Sequence, residues 1–259
     1  MKVIKKLNSK KALQYKIFSS DNKVDVVKGQ VKVNILDSLC YRNMSFNEIV
    51  ELTGKAKPTV SQHLRELVEE GLIRSTKDPN DARRKIFCIN AEFLGELSRD
   101  KESKFDIDDY FSKLPHLKDP FEFYRLILRS LRAEFWNEGI NIDPILHNAG
   151  KRVGDVFYEE LKDNNLNQLL KNITNFWESK QLGQIEVKNL DPLTICVYDC
   201  FECKDLPEIG EPACSFDSGV LDAIFSKYFQ RDITTAETEC YAMGNECCTF
   251  VIDADNKLD

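Results

Sequence analysis

The chain has 259 residues, 42% hydrophobic and 31% charged, which is room for two domains with separate cores and the balance of an ordinary folded protein. No apolar run approaches the roughly 20 residues of a membrane span, and the basic start MKVIKKLNSKK leads into no apolar segment, so neither a membrane helix nor a signal peptide is expected and the chain reads as cytoplasmic. The net charge of −7 is split: residues 1–95 carry 18 Lys and Arg against 11 Asp and Glu, a net of +7, and the rest carries 18 against 32, a net of −14, as for a polyanion-binding front on a body that binds none.

Val27, Val31, Ile35 and Leu39 fall at i, i+4, i+8 and i+12, one apolar stripe that predicts a first helix over 27–39. Ser45 and Glu48 form a capping-box pair that starts a second helix, which ends at Gly54, where glycine supplies a left-handed turn. Pro58 suits the first position of a third helix, because its missing N–H would have no partner there. Val60, Leu64, Leu67 and Val68 form that helix's apolar face. Its remaining surface offers Lys57, Thr59, Ser61, Gln62, His63 and Arg65, all hydrogen-bonding or cationic. Two β-prone runs, 71–76 and 83–90, flank the turn-rich KDPNDA and predict a hairpin with Arg83, Arg84 and Lys85 beside its turn.

A short helix, a glycine turn, a polar-faced helix and a basic hairpin make a winged helix-turn-helix, with the third helix directed to the major groove of double-stranded DNA. Across 24–95, including TVSQHLRELVEEGLI and DPNDARRKIF, the sequence resembles winged-helix regulators of the ArsR and MarR type. The resemblance implies a homodimer on two half-sites about one helical turn apart.

Residues 96–120 are charge-dense and contain Pro115 and Pro120; they read as a linker, or as a dimerisation helix continuing from Phe93, Leu94 and Leu97. Amphipathic segments follow at 121–138, 143–163 and 164–180. Two strands between Leu182 and Asp199 turn at Asp191-Pro192, a helix runs from Ser218 to Arg231, and a last hairpin spans Ala236 to Ala254. The whole is α+β: a winged-helix domain over 1–95, the connector 96–120, and a cysteine-rich domain over 121–259.

Seven of the nine cysteines lie in 196–248. Without a secretion signal they read as thiols or metal ligands before they read as a disulfide framework. Only thiols and carboxylates are plentiful there, so a bound metal would be held mainly by sulfur, which favours zinc or an iron–sulfur centre. His63 is not paired with another histidine at helical spacing and is no ligand. Cys200 and Cys203 form a C-x-x-C pair, Cys247 and Cys248 are adjacent, and Cys40 and Cys88 read as small buried hydrophobes. A structural metal site, a thiol redox switch and plain burial are the three readings left open.

The segments VYDCFEC, PACSFDSGVLDAIF and AETECYAMGNECCTF resemble the four-vinyl reductase, or hydrocarbon-binding, domain over 120–254. The resemblance implies a structural zinc at Cys214, Glu237, Cys240 and Cys248, with Cys247 competing for the last place. A winged helix ahead of such a domain resembles the methanogen MsvR-type redox regulators of archaea. That likeness implies DNA binding controlled through Cys200, Cys203, Cys214, Cys240 and Cys247. An alternative is an apolar ligand lined by Phe121, Phe123, Tyr124, Phe135, Trp136, Phe157, Tyr158, Phe176 and Trp177, which equally suit a core. Scarce histidine and the absence of a phosphate loop or nucleophile motif argue against an enzyme, and no organic cofactor is expected.

Overall fold

The computed structural model describes residues 14–20, 23–78, 81, 84–98, 106–113 and 120–252, in two compact units. The front unit opens with an antiparallel hairpin, β1 (Gln14–Ser20) and β2 (Lys23–Val27). Helix α1 (Gln30–Tyr41) follows. It begins later than the predicted 27–39 helix, because Val27 is buried at the end of β2 and Gly29, at φ 94°, turns the chain between the two. The buried face of α1 is Val33, Ile35, Leu36 and Leu39.

After the two-residue β3 (Met44–Ser45) comes α2 (Phe46–Thr53), with the capping box complete. Ser45 Oγ accepts the Glu48 N–H, and Glu48 accepts the Ser45 N–H at 2.7 Å. Gly54, at φ 61°, closes the helix. Helix α3 (Lys57–Glu69) starts one residue earlier than expected, with Pro58 at the second position, where a helix N–H is equally unpartnered. Val60, Leu64 and Leu67 are buried, whereas Val68 is 39% exposed and lies off the predicted apolar face.

Strands β4 (Ile73–Lys77) and β5 (Lys85–Ile89) form the expected hairpin, joined by β3 into a three-stranded sheet. Phe93, Leu94 and Leu97 belong to β6 (Glu92–Ser98), not to a helix. β6 pairs antiparallel with β1 and with the short β7 (Ile140–Asn141), giving the sheet order β2-β1-β6-β7.

The rear unit begins with α4 (Ile107–Ser112) and α5 (Pro120–Asn137). Helices α6 (Asp143–Leu161) and α7 (Leu166–Ser179) match the amphipathic segments. β8 (Gln184–Leu190) and β9 (Leu193–Tyr198) turn at a cis Asp191-Pro192 bond. Helix α8 (Ser215–Phe229) is displaced three residues N-terminally from the sequence expectation at its start and ends before Arg231. β10 (Thr235–Glu239) and β11 (Cys248–Ile252) complete an antiparallel sheet of order β10-β11-β9-β8.

Helices α6 and α8 cross with almost no side chain between them. A Cβ on Gly150 would lie 2.1 Å from Phe216 O, and one on Gly219 would lie 2.1 Å from His147 O. The rear core gathers Leu169, Ile173, Trp177, Ile195, Phe225 and Phe250, with five cysteines at one end. Among the described residues, no helix is long and apolar enough to cross a membrane.

Candidate functional site

In the front unit Lys57, Thr59, Ser61, Gln62 and Arg65 are exposed along one side of α3, opposite the buried Val60, Leu64 and Leu67. Gln62 donates to Glu66 at 2.8 Å, and half-buried His63 faces the same carboxylate at 3.6 Å, so both are turned along the helix. A cleft of about 660 Å3 runs between α3 and the β4–β5 hairpin, lined by Ser61, Arg65, Arg84 and Lys85. Ser45, Asn47 and Ser75 line it as well, polar residues that sequence reading did not single out. Arg84 and Lys85 are exposed, and Arg84 sits 3.4 Å from Asp81; Arg83 lies outside the described residues.

The rear unit brings five thiols and a carboxylate into one buried pocket. Cys200 and Cys203 lie in the turn after β9, Cys214 caps α8, Glu237 stands on β10, Cys240 ends that strand, and Cys248 opens β11. All five cysteines are 0% exposed. Sulfur–sulfur distances are 3.5 Å for Cys200–Cys214, 3.1 Å for Cys203–Cys248, 3.6 Å for Cys203–Cys240, and 3.6 Å for Cys214–Cys248. Cys240 lies 3.9 Å from both Cys214 and Cys248.

Two sets of four donors each lie within 4.8 Å of one another: Cys200, Cys203, Cys214 and Cys248, and Cys214, Glu237, Cys240 and Cys248. With Zn–S near 2.3 Å, a tetrahedron has sulfur edges of about 3.8 Å, and these thiols are already close to that spacing. Glu237 Oε2 accepts the Cys214 N–H at 2.8 Å, while its Oε1 is buried with no hydrogen-bond partner, as a carboxylate placed to take a cation would be. The donor chemistry therefore fits a thiophilic divalent metal.

Adjacent residues on a strand point to opposite faces, and this separates Cys247 from Cys248. Cys248 enters the pocket, whereas Cys247 forms a disulfide with Cys196 of β9. Sequence reading named Cys247 but not its partner. It also grouped Cys200 and Cys203 apart from the metal set, and the structure places all of them together. Cys88 is buried as expected, but Cys40 is exposed.

Burial drives the Cys214 thiol up. Hydrogen bonds from Cys203, Cys214 and Cys248 pull Cys240 down, so the pocket's negative charge gathers at Cys240. Burial, and then the charge on Cys240, push Glu237 up to about 9. A metal entering here must displace protons.

A charged shell absent from the sequence reading fixes this pocket. Arg132, 2% exposed, is ion-paired with buried Glu202, the residue before Cys203, and with Asp143 at 3.0 Å. Glu202 in turn accepts the N–H groups of Phe216 and Asp217 at the start of α8, 3.2 Å each. Arg129 donates to the carbonyls of Cys200 and Phe201, 3.1 Å each.

Of the aromatic residues considered for an apolar pocket, Phe176 and Trp177 lie in the core, while Phe121, Phe123 and Tyr124 are 49%, 49% and 68% exposed.

Residues 29–75 match the bacterial regulatory protein, arsR family, and residues 193–254 match the four-vinyl reductase (vinyl-4-reductase) domain. An uncharacterised protein of Methanocaldococcus jannaschii is 35% identical over 102 residues, 39% of this chain and 63% of its own length. A second from that organism is 29% identical over 218 residues, 81% of this chain and 76% of its own. The HTH-type transcriptional regulator KmtR of Mycobacterium tuberculosis is 47% identical over 47 residues, 18% of this chain and 36% of its own. The chain thus spans less than two thirds of the first and third of these relatives. It carries an arsR-family helix-turn-helix at its front and a four-vinyl reductase domain at its rear.

Proposed function

We propose that the chain is a cytoplasmic, non-enzymatic transcriptional regulator that binds double-stranded DNA as a homodimer and answers to the state of its rear thiols. In this reading Lys57, Thr59, Ser61, Gln62, His63 and Arg65 of α3 enter the major groove, while Arg83, Arg84 and Lys85 meet the backbone. The helix-turn-helix resembles that of a named transcriptional regulator, which supports the DNA-binding half. A structural zinc at Cys214, Glu237, Cys240 and Cys248 holds the start of α8 to the β10–β11 hairpin.

The observation that carries the reading is the burial of five thiols in one pocket, one strand position away from the Cys196–Cys247 disulfide. In a reducing compartment such a bond is a redox element more often than a staple. Its reduction takes up two electrons and two protons and frees two thiols beside the ligand Cys248. Cys200, Cys203, Cys214 and Cys240 are oxidisable in the same pocket once metal leaves them. For the homodimer, Phe123, Ile127 and Leu131 form an i, i+4, i+8 stripe on α5 that is 49%, 41% and 55% exposed, the face we assign to a second copy.

The test is DNA retention measured with and without reductant, on the anaerobically purified full chain. Reductant-dependent affinity is expected, and equal affinity in both states would sink the redox half of the proposal.

A further inference from the structure

We infer that the thiol pocket takes two divalent metal ions, the second held by Cys200 and Cys203 together with Cys214 and Cys248, which bridge to the first. This rests on the proposed metal site and extends it. One tetrahedral ion needs four donors, and two that share an edge need six, two of them bridging. The pocket offers six: the two four-donor sets have Cys214 and Cys248 in common. Thiolate sulfur keeps lone pairs after binding one metal, so it can serve as such a bridge.

The distances agree set by set. The shared edge Cys214–Cys248 is 3.6 Å. On one side of it Cys240 lies 3.9 Å from each bridging sulfur, and Glu237 has a buried carboxylate oxygen with no other partner. On the other side Cys200 lies 3.5 Å from Cys214, and Cys203 lies 3.1 Å from Cys248. These edges compare with about 3.8 Å in a regular zinc–thiolate tetrahedron. With a single ion at the Cys214, Glu237, Cys240 and Cys248 set, Cys200 and Cys203 would stay buried with only sulfur and Asp217 contacts for their thiols.

Charge also permits two. Six anionic donors against two dications leave a net of −2, and the cluster sits at the N-terminus of the 15-residue α8 with buried Arg132 acting on both Cys214 and Glu237. One contact resists: Cys203 and Cys240 are 3.6 Å apart, closer than end donors of an edge-sharing pair can stay. The second ion must therefore move Cys203, which lies in a turn rather than a strand or helix, and it binds more weakly than the first.

The full chain, reduced and dialysed anaerobically against excess zinc, should hold two zinc ions per chain by elemental analysis. A weak chelator should remove one before the other. Cys200→Ser with Cys203→Ser should reduce the content to one. If that variant does not fold, cadmium-113 NMR of the wild-type chain replaces it, with two resonances expected. One zinc per chain at saturation, a single cadmium resonance, or two zinc ions retained in the folded variant would each overturn the inference. A chain that binds no zinc at all would remove the proposed structural site too, which separates the two failures.

Discussion

Arg132 and Glu202 are 2% and 1% exposed and paired to each other, so removing the cation strands a carboxylate in the rear core. Breaking a buried pair from one side costs about 3–5 kcal/mol. Arg132→Met should lower rear-unit stability by that order in urea denaturation followed by tryptophan fluorescence, with Glu202→Gln on top recovering part of it. A loss under about 1 kcal/mol would mean the pair holds nothing. These residues escaped sequence reading because charge within an amphipathic helix reads as surface, and the partners are 70 residues apart. Ser45 and Glu48 are three residues apart, and their pairing was legible for that reason. Arg42, and then the Ser45 N–H and hydroxyl, hold the Glu48 carboxyl down at about 2, from an ordinary 4.5. A carboxylate lowered by folding contributes fully above its unfolded value and loses that contribution as the pH falls towards its folded one. Melts followed by circular dichroism should therefore lose stability between about pH 4.5 and 2, less steeply in Glu48→Gln. Ser45→Ala should cost about 1 kcal/mol at neutral pH.

At the scale of elements, the α6–α8 crossing depends on missing side chains. Gly219→Ala sets a Cβ 2.1 Å from a backbone oxygen that cannot rotate away, so the helices must part. A loss of about 1–3 kcal/mol or more is expected in the same fluorescence assay, and no loss would contradict the close crossing. In the front unit, Arg65→Ala and Arg84→Ala should each weaken DNA binding and lower its dependence on log salt by about 1, if each meets a phosphate. An unchanged slope would remove that residue from the interface. Helices α5, α6 and α7 were legible because amphipathic periodicity is written in consecutive residues. Strands β1 and β6 were not, since Lys16 pairs with Glu96 across the whole winged helix, and Phe93, Leu94 and Leu97 mimic helical spacing. The Cys196–Cys247 bond was hidden for the same reason: the register of β9 against β11, not local spacing, sets Thr249 beside Cys196 and so brings its neighbour within reach.

For the whole molecule, the front and rear units have separate hydrophobic cores, and both tryptophans, Trp136 and Trp177, lie in the rear one. Fluorescence thus reports the rear unit, while far-ultraviolet dichroism reports both. A ligand bound only by the folded state adds stability to the unit that holds it. Chelating the metal should lower the fluorescence transition and leave the front unit's dichroism transition in place; a shift in both would show that the units unfold together. The clamp that Arg129 makes on the carbonyls of Cys200 and Phe201 then carries a consequence for signalling. The thiol turn cannot change its backbone path gradually without taking acceptors from a guanidinium that is 5% exposed. Packed contacts of this kind are seated or unseated, with little in between. Gaining or losing one sulfur ligand becomes a yes-or-no event at α5, the first long helix after the connector, and a graded chemical signal leaves the pocket as a binary one.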